Sequence, residues 1–179
     1  GRYFDSLYVT DGTNNALTNI AWYVDSLRRS EGQENIILLD AGDCLQGDNA
    51  AYYFNYVDTA SEHLFARMTE YIGYDAVVVG NHDIETGHEV YDRMVRTMDV
   101  PFLAANALRT DNGRPYFQEY VTLKRYGLNI TIIGFTNPNI KGWLSPVLWE
   151  GMTFESLLPM AQEVVDRVSA KEKSDVVIV

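Results

Sequence analysis

Two short apolar segments, each followed at once by a loop rich in Gly and Asp, constrain the fold of this chain most. Ile36–Leu39 leads into residues 40–47, which read DAGDCLQG, and Ala76–Val79 leads into residues 80–83, which read GNHD. Apolar runs of this length, bounded by Gly and Asp, predict buried parallel strands. Because α/β proteins place their sites at the carboxyl ends of such strands, the polar residues of both loops are predicted to converge at one sheet edge.

Helical periodicity between the apolar runs predicts an α/β domain in which helices cover the sheet faces. The predicted helices are Asn15–Arg29, capped by Thr13 or Asn14, Ser61–Tyr71, Gly87–Met98 and Phe154–Ala170. The further predicted strands are Val100–Ala105, Tyr116–Leu123, Asn129–Phe135 and Asp175–Val179, of which the middle two form a hairpin around Tyr126-Gly127. Ala50–Val57 is rich in aromatic residues and fits neither class of element. Most tyrosines, such as Tyr71 and Tyr91, are interpreted as core packing.

The bulk composition fits a globular domain and excludes some partners. The chain has 179 residues, of which 46% are hydrophobic and 22% charged, and its net charge is −11. A nucleic-acid polymer needs a basic binding face, so this class of partner is not expected, whereas a small phosphorylated substrate is compatible with a bound metal. The sequence has no apolar run of roughly 18 residues, so no membrane partner is expected. The lone cysteine, Cys44, excludes an internal disulfide.

The candidate site residues are Asp43, Asn81 and His82. A carboxylate can bridge two cations, an amide oxygen is a neutral hard ligand, and an imidazole can bind metal or transfer a proton. Each loop alone is also typical of an Asx turn or a helix cap. Their occurrence together at strand ends favours a divalent metal and a phosphate ester as the chemistry of the site.

These motifs resemble the calcineurin-like metallophosphoesterases, in particular their 5′-nucleotidase and 2′,3′-cyclic-nucleotide 2′-phosphodiesterase branch. The matching patterns are Gly42-Asp43-x-x-Gln46-Gly47 and Gly80-Asn81-His82-Asp83. Further matching segments are Tyr74-Asp75-Ala76, Ala105-Asn106 and residues 133–138, with Asn137 where the branch has Thr. Residues 139–144 lean toward the cyclic phosphodiesterases. The resemblance implies a layered sandwich of sheets flanked by helices.

The resemblance also implies roles for individual residues. Asp43 is expected to bridge two divalent metal ions (Mn, Zn, Fe or Co), and Asn81 to bind one of them. His82 is expected to face the scissile phosphate, stabilise charge and protonate the leaving oxygen. Glu85 stands where the branch commonly has an acidic residue that orients this histidine. The substrate is expected to be a small nucleotide, either a 5′-monoester or a 2′,3′-cyclic diester.

Compared with this family, residues 1–179 lack the first and last metal-binding motifs, Asp-x-His and Gly-His-x-His. The chain is therefore expected to be a truncated N-terminal catalytic domain, inactive and metal-poor by itself, from a periplasmic or secreted enzyme whose C-terminal domain binds the nucleotide. The alternative is a non-catalytic binding or scaffold module that keeps the fold. A dinucleotide-binding domain is disfavoured because no Gly-x-Gly-x-x-Gly loop follows a predicted strand. The oligomeric state stays open.

The other polar residues near the motifs have structural interpretations. Asp40 and Asp83 are expected to cap or orient loops rather than to bind metal. Cys44 is interpreted as a small packing residue. His63 and His88 lie in or near predicted helices and are not expected to be ligands.

Overall fold

The predicted alternation of helices and strands is present in the computed structural model, which describes Tyr3 and residues 16–179. Its helices are α1 Leu17–Glu31, α2 Asn49–Tyr52, α3 Leu64–Ile72, α4 Asn81–Glu85, α5 His88–Thr97, α6 Ile140–Trp143 and α7 Leu157–Glu172. Its strands are β1 Leu39–Asp40, β2 Ala76–Val78, β3 Phe102–Leu103, β4 Ala107–Arg109, β5 Tyr120–Arg125, β6 Leu128–Ile133, β7 Met152–Phe154 and β8 Val176–Ile178. In the described part of the chain, no helix has both the length and the apolar character needed to cross a membrane.

The first sheet is parallel, as the two apolar segments predicted. Its order is β1-β2-β3, with Leu39 paired to Ala76 and Val77 paired to Phe102. Strand β1 is shorter than predicted and begins at Leu39, while Ile36, the first predicted strand residue, is the C-cap of a 3₁₀ turn over Gln33–Asn35. The loops after β1 and β2 nevertheless leave the same edge of the sheet.

The second sheet contains the predicted hairpin. Strands β5 and β6 are antiparallel, and β8 joins β6 in parallel. The hairpin turns at Tyr126 and Gly127, whose φ angles of 50° and 80° match the two-residue turns that follow the twist of a hairpin.

The two sheets pack face to face between layers of helices. Alternation along β2 turns Ala76 toward the second sheet, where it packs with Leu103 and Ile132, and turns Val77 toward the helices α3 and α5. On the far face of the second sheet, Ile133 packs against α7 through Val164 and Val168. The architecture is therefore the predicted layered sandwich of helix, sheet, sheet and helix.

Several local predictions are corrected by the structure. Strands β4 and β7 form a separate antiparallel pair, and Phe154 belongs to β7, so the last helix begins at Leu157 instead. Tyr91 is buried as predicted, but Tyr71 is 89% exposed and belongs to none of the core clusters formed by the described residues. The proposed caps Thr13 and Asn14 lie outside the described residues.

Candidate active site

The two signature loops meet directly at the carboxyl edge of the first sheet. Asp43 follows β1 and Asn81 follows β2, and these two strands are hydrogen-bonded neighbours. The Asp43 Oδ1 atom accepts a hydrogen bond from the backbone N–H of His82 at 2.9 Å. The predicted convergence of Asp43, Asn81 and His82 is therefore present in the structure.

This contact has a local cause in the start of helix α4. The first N–H groups of a helix have no partner within it, and a side-chain oxygen at the N-cap position usually accepts one of them. Here the N-cap residue is Gly80, which has no side chain. The carboxylate of Asp43 supplies the missing acceptor from the other loop, so the helix start and the carboxylate position each other.

The buried carboxylate of Asp83 accepts hydrogen bonds from both loops. Its Oδ2 atom accepts the N–H groups of Gly80 at 2.8 Å and Asp43 at 2.9 Å, and its Oδ1 atom accepts those of Cys44 and Leu45, each at 2.9 Å. Burial raises the pKa of this carboxyl to about 6, against the opposing effect of the backbone N–H groups. Asp83 thus orients the loops, in the role expected for it, and is not placed as a ligand.

Two glycines permit the close approach of the loops. A Cβ on Gly80 would lie 2.1 Å from Asp43 Oδ1, and a Cβ on Gly42 would lie 2.6 Å from the backbone nitrogen of Gly80. Asp43 itself has a φ of 64°, a left-handed conformation that few non-glycine residues adopt. Such conformations persist where the surrounding structure holds them, and they concentrate at functional sites.

His82 and Glu85 form a pair on the exposed side of α4. They lie three positions apart in this helix, on one face, and His82 Nδ1 is 2.6 Å from Glu85 Oε2. Their side chains are 48% and 36% exposed. A carboxylate that accepts from Nδ1 leaves the other ring nitrogen, Nε2, outside this contact. The additional length of Glu85 does not prevent the contact.

The residues of the site fit part of a metal centre. Asp43 is exposed and Asn81 is partly exposed, and carboxylate and amide oxygens are ligands for hard and borderline divalent ions. Within Tyr3 and residues 16–179, however, no three or more His, Cys, Asp or Glu side chains form a group that could hold a metal ion. Asp43 and Asn81 therefore need ligands from outside the described residues to complete such a centre.

The remaining candidates have the structural surroundings that were expected. The imidazole of His63 is buried, with Nδ1 accepting from Phe65 N–H and Nε2 2.9 Å from Asn55 Oδ1. The His88 Nδ1 atom lies 3.1 Å from Asp92 Oδ2. Cys44 is half-buried against the core, and burial raises the pKa of its thiol.

The sequence analysis missed an aromatic feature beside the site. Tyr52 and Tyr56 lie in residues 50–57, whose sequence fits neither class of element, and their ring centroids are 5.2 Å apart. The residues following Tyr52 form a π-helical turn, Tyr53–Val57, a geometry frequent at functional sites. The spacing of four residues between the two tyrosines is the signal that points to a shared helix face.

Comparison with known proteins places this geometry in context. No protein-family model matches the chain. The protein UshA of Salmonella pullorum is 28% identical over 157 residues, which is 87% of this chain and 28% of UshA. The 5′-nucleotidase of Vibrio cholerae is 30% identical over 107 residues, covering 60% of this chain and 19% of the relative. The chain therefore spans less than a third of the length of these relatives.

The fold is also found among solved structures. The calcineurin-like phosphoesterase YfkN from Bacillus subtilis superposes with a TM-score of 0.82 at 22% identity, covering 98% of this chain and 55% of the YfkN chain. This likeness confirms the layered α/β sandwich. Together with the related sequences, it confirms the resemblance read from the Gly-Asp and Gly-Asn-His-Asp motifs.

Proposed function

Because the chain is related in sequence to 5′-nucleotidases and has the fold of a calcineurin-like phosphoesterase, we propose that its intact polypeptide hydrolyses phosphate esters of nucleotides. The observation that carries the proposal is the junction of the two loops, where Asp43 Oδ1 accepts from His82 N at 2.9 Å and His82 Nδ1 contacts Glu85 at 2.6 Å. This junction supports the proposal, because metal-assisted cleavage of a phosphate ester uses carboxylate ligands and a group that stabilises developing charge.

Asp43 and Asn81 are the proposed metal ligands among the described residues. Two divalent ions bound there, such as Mn, Zn, Fe or Co, would activate water and neutralise phosphoryl oxygens. Asp43 would hold the ions through its exposed carboxylate, one oxygen of which accepts the N–H of His82. The other ligands are proposed to come from parts of the polypeptide outside the described residues.

His82 is the proposed group for charge stabilisation and proton transfer. Its Nδ1 contact with Glu85 orients the ring, and Nε2 is the nitrogen that would meet a phosphate oxygen. Glu85 is a positioning residue in this proposal, since it acts through the ring. The substrate is proposed to be a small nucleotide, and the enzyme to be periplasmic or secreted with a separate nucleotide-binding domain.

The experiment measures phosphate release from AMP and from 2′,3′-cyclic AMP by the intact polypeptide supplied with Mn²⁺. The assay with 2′,3′-cyclic AMP includes an added phosphatase, because opening the cyclic diester gives a monoester and no free phosphate. We expect His82→Ala to lower kcat by roughly 10²- to 10⁴-fold, the usual contribution of a proton-transfer group. His88→Ala is the matched control, because His88 also pairs with an acidic residue on a helix but outside the site. Unchanged turnover in His82→Ala with both esters would contradict the catalytic role.

A non-catalytic binding module is the second candidate. It is favoured by one observation, that the described residues provide only part of a metal centre. The same assay separates the two functions, because a binding module releases no phosphate from either ester and shows no difference between wild type and His82→Ala.

A further inference from the structure

The backbone of the loop that carries Asp43 is held from two sides at Leu45. The N–H of Leu45, a fully buried residue, donates to Asp83 Oδ1 at 2.9 Å. The carbonyl of Leu45 accepts a hydrogen bond from Asn55 Nδ2 at 2.7 Å. Asp83 lies in α4, and Asn55 lies in the π-helical turn Tyr53–Val57. Side chains from two other elements therefore bind both polar backbone groups of a residue two positions beyond Asp43.

The orientation of the Asn55 amide is determined by His63. The backbone N–H of Phe65 can only donate, so the Nδ1 atom of His63, at 3.1 Å, is unprotonated and accepts. Burial lowers the pKa of this imidazole to about 4 and keeps the ring neutral, so its proton lies on Nε2 and is donated to Asn55 Oδ1 at 2.9 Å. The amide nitrogen of Asn55 is thereby directed to the Leu45 carbonyl.

The π-helical turn is itself attached to three neighbouring parts of the protein. The carbonyl of Phe54 accepts a hydrogen bond from Arg93 of α5. Asn55 binds the loop after β1, and the hydroxyl of Tyr56 donates to the Thr86 carbonyl, at the end of α4, at 3.2 Å. Because three consecutive residues bind three different elements, the position of the Asn55 side chain relative to the loop is fixed. Such π-helical turns are rare and are frequent at functional sites.

Asp43 has a backbone conformation that depends on support of this kind. Its φ angle of 64° is uncommon for residues other than glycine, and such conformations persist where the surrounding structure holds them. The carbonyl of Cys44 accepts from the Tyr3 hydroxyl at 2.9 Å. The carbonyl of Leu45 accepts from Asn55. The two peptide groups that follow Asp43 are therefore fixed, which restricts rotation of the chain beside this carboxylate.

We propose that Asn55 is a positioning residue for Asp43 and that it acts by holding the Leu45 carbonyl. This inference rests on the proposed function insofar as Asp43 is a metal ligand there. Groups that orient a metal ligand without touching the ion change metal affinity or activity by roughly 10- to 100-fold when they are replaced. Because the nucleotide is proposed to bind in a separate domain, loss of this contact is expected to weaken metal binding and lower kcat without raising KM.

Asn55→Asp tests the contact most selectively. A carboxylate still accepts the proton of His63 Nε2, but it has no N–H to donate to the Leu45 carbonyl. Asn55→Leu removes both hydrogen bonds without adding a charge, so the test does not depend on the folding of a variant with a new buried carboxylate. Asn129→Asp is the matched control, because Asn129 also donates to two backbone carbonyls but lies on β6 in the second sheet.

Two measurements on the intact polypeptide are independent of turnover. Hydrogen exchange of the peptide that covers residues 42–47 reports on the loop, and a Mn²⁺ titration followed by electron paramagnetic resonance reports on metal affinity. In both Asn55 variants we expect faster exchange of this peptide and Mn²⁺ affinity lower by roughly 10-fold. With AMP we expect a lower kcat and a nearly constant KM. In Asn129→Asp, all four quantities are expected to match the wild type.

The outcomes separate this inference from the proposed function. Wild-type exchange of residues 42–47 together with wild-type Mn²⁺ affinity in the folded Asn55 variants overturns the positioning role, even if the enzyme hydrolyses AMP. Equal changes in Asn129→Asp also overturn it, because they would reflect general destabilisation. Conversely, faster exchange and weaker Mn²⁺ binding confined to the Asn55 variants, in a polypeptide that hydrolyses no nucleotide, support the positioning role and contradict the proposed function.

Discussion

The carboxylate of Asp43 accepts the backbone N–H of His82 at 2.9 Å, although the two residues are 39 positions apart in the chain. The bond caps a helix whose own N-cap residue is glycine. It follows that the position of the proposed metal ligand and the position of the proposed catalytic histidine depend on each other. The predictions below test how this junction is built and what it does.

Removal of the Asp83 carboxylate is expected to destabilise the protein. Asp83→Ala leaves four backbone N–H groups of the two loops without their acceptor, and such buried donors cost about 1–3 kcal/mol each when nothing replaces the partner. With partial relaxation and water entry, we expect about 3–5 kcal/mol lower free energy of unfolding, measured by urea titration. Asp111→Ala, at an exposed turn, is the control and is expected to change it little. A loss below about 1 kcal/mol in Asp83→Ala would show that the loops do not depend on this carboxylate.

A methyl group on Gly80 is expected to break the junction. A Cβ at this position would lie 2.1 Å from Asp43 Oδ1, so Gly80→Ala must displace the carboxylate and lower both stability and turnover. Gly142→Ala is the matched control: it also lies close to a helix start but has no atom within 4 Å of the added Cβ. There we expect no loss, and a gain of up to about 1 kcal/mol from reduced freedom of the unfolded chain. Equal unfolding free energies for the two variants would contradict the tight packing of the loops.

Glu85 is expected to act on turnover rather than on folding or substrate binding. Glu85→Gln removes the charged acceptor that fixes His82 Nδ1, so we expect kcat to fall by about 10-fold while KM and the thermal midpoint stay nearly constant. Glu85→Asp keeps the charge on a shorter side chain and is expected to recover part of kcat. A rise in KM with unchanged kcat would instead assign Glu85 to ground-state binding of the substrate.

The buried His63 is expected to make stability depend on pH. Burial, with a further contribution from Arg93, lowers the pKa of His63 to about 4, from an ordinary value of 6.5. Between these values His63 binds more protons in the unfolded state than in the folded state, so its contribution to stability is fully present above pH 6.5 and is lost as the pH falls toward 4, by about 3 kcal/mol in total.

His63→Asn tests this dependence, because asparagine can still cap the N–H of Phe65 but does not titrate in this range. The urea-unfolding free energy is measured from pH 7 to pH 4 for both proteins. We expect the wild type to lose its advantage over the variant as the pH falls. A constant difference between the two across this range would mean that His63 is not kept neutral by the fold.

The sequence predicted the parts of this structure that depend on local pattern. The apolar runs before Asp43 and Asn81, and the turn at Tyr126-Gly127, were sufficient to predict the parallel sheet edge and the hairpin. The β4–β7 pair was missed, because its strands have three residues each and pair across a long stretch of chain, which leaves no periodicity to read. Tyr71 was misread because helical spacing alone does not show whether a neighbouring element covers that face.

In the candidate site, too, local motifs predict some features, whereas contacts between distant loops determine the others. Asp43, Asn81 and His82 were identified by motif, and their convergence follows from strand order. The four hydrogen bonds of Asp83 and the capping of α4 by Asp43 depend on contacts between loops distant in sequence, which no local pattern specifies. Whether Asp43 and Asn81 bind metal and His82 acts in catalysis stays a prediction.

The most direct measurement is a double-variant cycle on phosphate release, with Asp43→Asn, His82→Ala and the two together in the intact polypeptide supplied with Mn²⁺. If the two loops form one catalytic unit, each single variant loses most of the activity, and the double variant is about as slow as the slower single variant. Losses that multiply in the double variant, or single variants that keep wild-type turnover, would contradict a single phosphoesterase site at the junction of Asp43 and His82.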